Sequence, residues 1–336
     1  MDYKNIVGQE QIKEFIRKTI NMNIVSHAYI ICGEKGSGRL DIAKLFAASL
    51  QCKSEYDLYD ESTYNRPCGD CPSCKQMDGG NQPDVITVTT DKQSIGVDVI
   101  RQQVNNTAQI KPYAGPYKIY IIPEAEKMTE ESQNALLKTI EEPPEYVIIF
   151  LITDNIGSLL PTVISRCIEL NMKPLSQKVI VEYLMDNMNI PDYQAEASAF
   201  FAQGNIGKAI RFATDSSFIT VRNDVIKVLK TIEDKGTDEI AAIVKNIKEE
   251  KYDIDDYLDM AILWYRDVLL YKALKDTSTL IFKEETKSVI KDAKVRSYEN
   301  IELCIEAIER AKRRLNANVN FDITIELMLT TLKENI

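Results

Sequence analysis

An apolar run at residues 119–122 is followed by an acidic turn, as in the strand of an ATP-hydrolysing site, but the main metal-binding carboxylate of such a site is missing. In an active site of this kind, the residue at the strand end is an Asp that orders magnesium, and a following Glu can polarise the attacking water. These two positions hold Pro123 and Glu124. Because proline offers no carboxylate, we interpret Glu124 as part of a solvated acidic turn and predict no ATP hydrolysis at this strand.

A glycine-rich segment at residues 33–40 (GEKGSGRL) is a degenerate version of the phosphate-binding pattern G-x4-G-K-[ST]. Gly33, Gly36 and Gly38 would let backbone N–H groups approach phosphates at a helix N-terminus. The lysine and the metal-binding hydroxyl of the pattern are replaced by Arg39 and Leu40. Arginine keeps the charge without the compact ammonium geometry, and leucine cannot bind a metal. The segment therefore predicts an ancestral nucleotide loop, and the pattern leaves open whether weak nucleotide binding persists.

A single arginine could act on ATP that is bound elsewhere. Arg166 lies in a Ser-Arg-Cys tripeptide just before a predicted strand at residues 167–170. An arginine finger supplied by one protein to another stabilises charge on the transferring phosphate. An ordinary surface arginine is the alternative interpretation. The preceding apolar run at residues 147–153, which has the character of a nucleotide-sensing strand, favours the finger.

Four cysteines have the spacing of a metal site. Cys68, Cys71 and Cys74 form a C-x2-C-x2-C cluster, and Cys52 precedes it. Four thiolates satisfy tetrahedral zinc in a closed structural site. The N-terminus lacks an apolar signal core, so we expect metal binding in a reducing, cytosolic compartment rather than disulfides. Free thiols on a flexible insert are the alternative.

The secondary structure that the sequence predicts around these residues changes along the chain. Short apolar runs alternate with helical patterns as far as residue 172, which predicts an α/β P-loop domain with a mostly parallel sheet. Beyond residue 173 the patterns are helical only. The predicted domains are the α/β domain at 1–172 with a zinc module inserted at about 52–74, a small helical lid domain at 173–214, and an all-α C-terminal domain at 215–336.

Composition limits the function classes. The chain has 336 residues and a net charge of −10. An acidic chain is poorly suited to gripping DNA tightly by itself, because phosphate neutralisation dominates such affinity. No apolar stretch approaches the roughly 20 residues of a membrane span. We expect a cytoplasmic protein without a membrane contact.

Taken together, the motifs resemble a known family. Further matching stretches lie at residues 7–9 (VGQ), 27–29 (HAY), 112–122, 134–138 (NALLK) and 141–144 (EEPP). The chain resembles the delta-prime subunits of the bacterial DNA polymerase III clamp loader, within the AAA+ group. The resemblance spans about residues 5–172 with high specificity and continues more loosely through the helical remainder.

The resemblance implies a place in a hetero-pentameric ring held together by C-terminal helical collar domains. That ring opens a sliding clamp and places it on primed DNA, as part of the DNA polymerase III holoenzyme (a DNA-directed DNA polymerase, hence a nucleotidyltransferase). The implied partners are the gamma/tau motor and the delta subunit, and Arg166 would reach ATP on the adjacent motor. The resemblance also implies structural zinc on the four cysteines.

The motor subunit is the relative that offers an alternative function. It shares the zinc module and the Ser-Arg-Cys tripeptide, but it would carry the lysine-hydroxyl pair and the strand-end Asp. This chain departs at Arg39, Leu40 and Pro123, and Gly207 lies in a segment where the motor pattern expects arginine. We therefore expect no ATP hydrolysis by this chain. An active ATPase with a divergent site is the alternative, and a zinc-stabilised DNA-binding module is disfavoured by the net charge.

Overall fold

A computed structural model describes residues 6–54, 66–215, 217–250 and 252–335. The chain divides into two units, residues 1–210 and 211–336. The first unit contains the predicted α/β domain together with most of the predicted lid. The division of the sequence into three domains stays a prediction.

A five-stranded parallel sheet forms the centre of the first unit, as the alternating sequence pattern predicted. In chain order its strands are β1 (Ala28–Cys32), β2 (Val85–Thr87), β3 (Lys118–Ile122), β4 (Val147–Thr153) and β5 (Ile168–Asn171). Across the sheet the order is β2-β3-β4-β1-β5, and every neighbouring pair is parallel. The central strands are apolar except for Lys118 and Thr153 at their ends, because helices cover both faces.

Helices on the two faces of the sheet build two cores. Successive strand residues point to opposite faces, so Tyr29 joins one core with Phe46 and Ile30 joins the other with Leu136. The helices of this unit are α1 (Glu10–Asn21), α2 (Arg39–Gln51), α3 (Pro72–Asp78), α4 (Val97–Ile100), α5 (Asn106–Ala108), α6 (Glu130–Glu141), α7 (Pro161–Ile164), α8 (Gln177–Met188) and α9 (Asp192–Phe201). A π-helical turn, Arg101–Asn105, joins α4 to α5.

The sequence predicts a helix start at Thr129, a typical N-cap residue that two acidic residues follow, and helix α6 begins there. The Thr129 hydroxyl accepts a hydrogen bond from the backbone N–H of Ser132, and Glu130 and Glu131 occupy the first turn. The hydroxyl accepts from one of the N–H groups that a helix start leaves unpaired. The acidic residues interact favourably with the positive end of the helix dipole. The cap matters for the site because α6 runs from the end of β3 towards the start of β4.

The second unit consists of helices. Helix α10 (Ile206–Thr214) crosses the boundary, and α11 (Ser217–Thr231), α12 (Thr237–Glu249), α13 (Ile254–Leu274), α14 (Thr286–Val295), α15 (Tyr298–Asn316) and α16 (Phe321–Glu334) follow. Trp264 and Tyr265 of α13 are completely buried. The buried Asp267 carboxylate accepts hydrogen bonds from the backbone N–H groups of Ile281 and Phe282. Among the described residues, no helix is both long enough and apolar enough to cross a membrane.

Candidate functional site

The degenerate phosphate loop connects β1 to α2, at the edge of the sheet where the parallel strands end. Strand β1 ends at Cys32 and α2 begins at Arg39. Gly36 and Gly38 have φ of 90° and 91°, a region that residues with a side chain adopt only at a cost. The glycines therefore keep the backbone shape of a phosphate loop although the residues after them have changed.

Two other parts of the chain contact this loop. The Ser37 hydroxyl lies 3.6 Å from the sulfur of Met172, and a Cβ added at Gly33 would lie 2.9 Å from the Met172 Cβ. The Asn205 amide donates a 2.8 Å hydrogen bond to the Lys35 carbonyl. The loop is thus in contact with the residue after β5 and with the segment that leads into α10.

Two further contacts fix the start of α10 on the loop. The backbone N–H of Gly207 donates to the Gly36 carbonyl at 3.0 Å, and the Lys208 ammonium lies 2.7 Å from a Glu34 carboxylate oxygen. The segment in which the motor pattern expects an arginine for ATP thus contacts the loop backbone directly.

Gly207 should not tolerate a side chain. In a Gly207→Ala variant the new Cβ would lie 2.5 Å from the Gly36 carbonyl oxygen, so backbone would have to move, and we expect a destabilisation of about 1–3 kcal/mol. Urea unfolding measures this change. Gly96→Ala is the control, since nothing lies within 4 Å of its added Cβ. Equal stability of the two variants would contradict the described packing of α10 on the loop.

Of the two residues that replace the lysine and the hydroxyl, Arg39 is buried and Leu40 is partly buried. Arg39 is 8% exposed, and its Nη1 has no hydrogen-bond partner among the described residues. Leu40 packs against the core between the sheet and α1 and α2. A cation is therefore retained beside the loop, whereas the magnesium-binding hydroxyl has been replaced by an apolar contact.

The strand-end carboxylate position has no metal-binding arrangement among the described residues. Pro123 follows directly after β3, and Glu124 has a left-handed backbone with φ of 50°. The Glu124 carboxylate pairs with the Lys127 ammonium at 2.8 Å, and both side chains are 45% exposed. A half-exposed local ion pair is what a solvated acidic turn would form.

Arg166 lies just before the N-terminal end of strand β5, whereas the phosphate loop follows the C-terminal end of strand β1. Strand β5 is parallel to β1, with Ile168 opposite Tyr29 and Asn171 opposite Cys32. The loop follows Cys32, whereas Arg166 comes before β5 begins. Each strand residue advances about 3.3 Å, so the backbone of Arg166 lies more than about 10 Å from the loop along the strands. The arginine is thus placed away from the nucleotide loop of its own chain.

Three contacts hold the Arg166 guanidinium at that end of the strands. Its Nε lies 2.9 Å from a Glu141 carboxylate oxygen. Its Nη1 donates to the Thr162 carbonyl at 3.0 Å and to the Ser165 hydroxyl at 3.2 Å. The side chain remains 42% exposed. An ordered but exposed guanidinium is suited to meeting an anion brought by another molecule.

The four predicted cysteines meet in one cluster. Their sulfur atoms all lie within 4.8 Å of one another. Zn–S bonds of about 2.3 Å in a tetrahedron separate the sulfurs by about 3.8 Å, so a small adjustment would fit the cluster to zinc. Of the predicted module, residues 55–65 lie outside the described residues.

Backbone hydrogen bonds shape the cluster for thiolates. The N–H groups of Cys71 and Cys74 point at the sulfurs of Cys68 and Cys71, at 3.3 and 3.4 Å. Burial raises the pKa of the Cys71 thiol, but hydrogen bonds from the backbone amides of Lys53 and Cys74 outweigh burial and lower that pKa to about 6. A thiolate is the form that binds metal. Burial raises the pKa of the Cys52 and Cys74 thiols, so it is the convergence of the four sulfurs that fits the donor set to a structural metal ion.

Several residues at these sites were not found from the sequence. Met172, Asn205 and Glu141 contact the phosphate loop or Arg166 from distant parts of the chain. The Asn205 contact joins residues 170 positions apart. Glu141 belongs to the matching stretch at residues 141–144, but nothing in that stretch indicates which side chain it contacts.

Comparisons with known proteins agree with these features. A family profile described as DNA polymerase III, delta subunit, matches residues 8–176. The chain is 30% identical over 332 residues to DNA polymerase III subunit delta-prime of Bacillus subtilis, covering 97% of this chain and 96% of that protein. It is 26% identical over 351 residues to DNA polymerase III subunit tau of the same organism, covering 96% of this chain and 60% of tau.

A solved structure shares the fold. A DNA polymerase III gamma subunit-related protein of Thermotoga maritima superposes with a TM-score of 0.50 at 18% identity, covering 97% of this chain and 99% of that one. Full-length similarity to delta-prime, the profile match and the sheet with its degenerate loop all lead to the same assignment. The chain belongs to the clamp-loader family of DNA polymerase III subunits, among which it is similar to delta-prime over nearly its whole length.

Proposed function

We propose that this chain is the non-hydrolysing delta-prime subunit of a replicative clamp loader. It supplies Arg166 in trans to ATP bound on the adjacent gamma/tau motor subunit while the assembly loads a sliding clamp onto primed DNA. The delta subunit is the other proposed partner, and the C-terminal helical unit is the proposed site of assembly. Cys52, Cys68, Cys71 and Cys74 hold a structural zinc ion, and the complex works in the cytoplasm.

The main support for the proposal is that Arg166 and the chain's own phosphate loop lie at opposite ends of the parallel strands. An arginine finger must reach the transferring phosphate directly. From its end of the strands, Arg166 would have to serve a nucleotide on another subunit.

The contacts of the loop support the non-hydrolysing half of the proposal. Magnesium catalysis of phosphoryl transfer requires ligands at the loop and at the strand end. Here those positions hold Leu40, which is packed against the core, and Pro123, with the neighbouring Glu124 paired to Lys127. The start of α10 and Met172 also contact the loop. The chain therefore lacks both protein ligands that would hold a magnesium ion at ATP.

The isolated chain should not turn over ATP above the buffer background in the presence of magnesium. The physical reason is the loss of both magnesium ligands, at the positions that hold Leu40 and Pro123. Phosphate release by the purified chain measures this. Arg39→Ala is the matched variant, and we expect it to leave the background rate unchanged. Magnesium-dependent turnover that disappears in Arg39→Ala would contradict the proposal and favour an active ATPase with a divergent site.

A further inference from the structure

The Glu141 carboxylate lies beside the Arg166 guanidinium, at a position where an acidic residue does not stabilise helix α6. Glu141 is the last residue of α6, and its neighbour Glu142 caps the helix. The C-terminus of a helix carries partial negative charge, so acidic residues are unfavourable there. Glu141 nevertheless lies 2.9 Å from the Nε of Arg166.

We propose that Glu141 is a positioning residue that orients Arg166 towards the phosphate of a neighbouring subunit. This inference rests on the proposed function. Glu141 acts only through the guanidinium and does not itself contact ATP.

The contacts of Arg166 leave one edge of its guanidinium available. Nε is ion-paired with the Glu141 carboxylate, and the Thr162 carbonyl and the Ser165 hydroxyl accept hydrogen bonds from Nη1. Among the described residues, Nη2 has no hydrogen-bond partner. A guanidinium is planar and rigid, so contacts at Nε and Nη1 set the direction of the Nη2 edge. That edge is the part of the side chain that can donate to an incoming phosphate oxygen.

Hydrogen bonds connect the segment that contains Glu141 to the segment that contains Arg166. Gln133 of α6 is 3% exposed. Its amide nitrogen donates to the Ser158 carbonyl at 3.1 Å, and its oxygen accepts from the Leu160 backbone N–H at 2.7 Å. Ser158 and Leu160 lie in the turn that leads into α7 and Arg166. The helix that holds the carboxylate therefore has a fixed register against the segment that holds the arginine.

The ion pair itself contributes little to folding. Both partners are more than 40% exposed, at 42% for Arg166 and 46% for Glu141, and exposed pairs are worth about 0–1 kcal/mol. Orientation can matter far more in catalysis, where a displacement of about 1 Å can cost about 10²-fold in rate. The pair is thus expected to affect turnover without affecting unfolding.

The test uses clamp loader reconstituted with the motor and delta subunits, with ATP turnover measured during loading. The motor should carry alanine at the arginine of its own Ser-Arg-Cys tripeptide, which the family resemblance implies, so that Arg166 is the remaining finger.

We expect Glu141→Ala to lower kcat about tenfold with an unchanged KM for ATP and an unchanged unfolding curve. Glu141→Gln, which keeps the side-chain length and a polar oxygen beside Nε but loses the charge, should recover part of that loss. Glu142→Ala is the control, because its side chain is exposed and forms no hydrogen bond or ion pair with Arg166.

The Arg166→Ala background separates the possible outcomes. If Glu141→Ala has no further effect in that background, the two residues act as one unit, as proposed. An equal additional loss there would overturn the positioning role, because Glu141 would then act independently. A normal rate for Glu141→Ala beside a slow Arg166→Ala would overturn this inference alone. A normal rate for Arg166→Ala would overturn both the proposed function and this inference.

Discussion

Replacing Arg166 with alanine should lower ATP turnover by about 100-fold or more at the motor site that this chain faces, because arginine fingers contribute about 10³- to 10⁵-fold to phosphoryl transfer. The measurement is turnover by the reconstituted clamp loader with the motor variant that lacks its own tripeptide arginine. In that assembly Arg166 is the remaining candidate for stabilising charge on the transferring phosphate. The loss should appear in kcat, since the finger acts mainly in the transition state.

Two controls separate catalysis from folding. The Arg166 side chain is 42% exposed, so its removal should change the free energy of unfolding by less than about 1 kcal/mol. Arg166→Lys keeps the charge but loses the planar fork, and it should recover only part of the rate. An unchanged kcat for Arg166→Ala in a fully assembled complex would contradict the trans-acting assignment.

Loss of one zinc ligand should have the other large effect. Cys71→Ser removes a thiolate from a cluster whose four sulfurs lie within 4.8 Å of one another. Structural zinc sites contribute folding energy, with apparent binding free energies of about 10–16 kcal/mol in small zinc domains. The α2–α3 region belongs to a larger folded unit, so we expect a lower melting temperature for the first unit rather than complete unfolding.

Zinc stoichiometry and thermal unfolding check this prediction together. The wild-type chain should carry one zinc ion per molecule, and Cys71→Ser should carry substantially less. Cys32→Ser is the matched control, because Cys32 ends β1 and lies outside the cluster. Full zinc occupancy in Cys71→Ser would argue against a site with four cysteine ligands.

Local sequence patterns predicted much of the fold. The apolar runs that become β1 and β4 are continuous and rich in isoleucine, and such runs suit strands that are buried on both faces. Strand ends shifted by one or two residues. The strand predicted at residues 167–170, for example, is β5 at Ile168–Asn171. The Thr129 cap was predicted because a cap depends only on residues within three positions of it.

The sequence by itself determined which chemical groups are present and which are missing: a loop without its lysine and hydroxyl, a strand end without its carboxylate, and four cysteines with metal-site spacing. Those features depend on residue identity at short range. Only the tertiary structure decided that Arg166 lies at the other end of the strands from the loop, that Glu141 pairs with it, and that Asn205 and Gly207 contact the loop. Strand register and helix packing create these contacts between residues up to 170 positions apart, and no local pattern encodes which distant side chains such packing brings together.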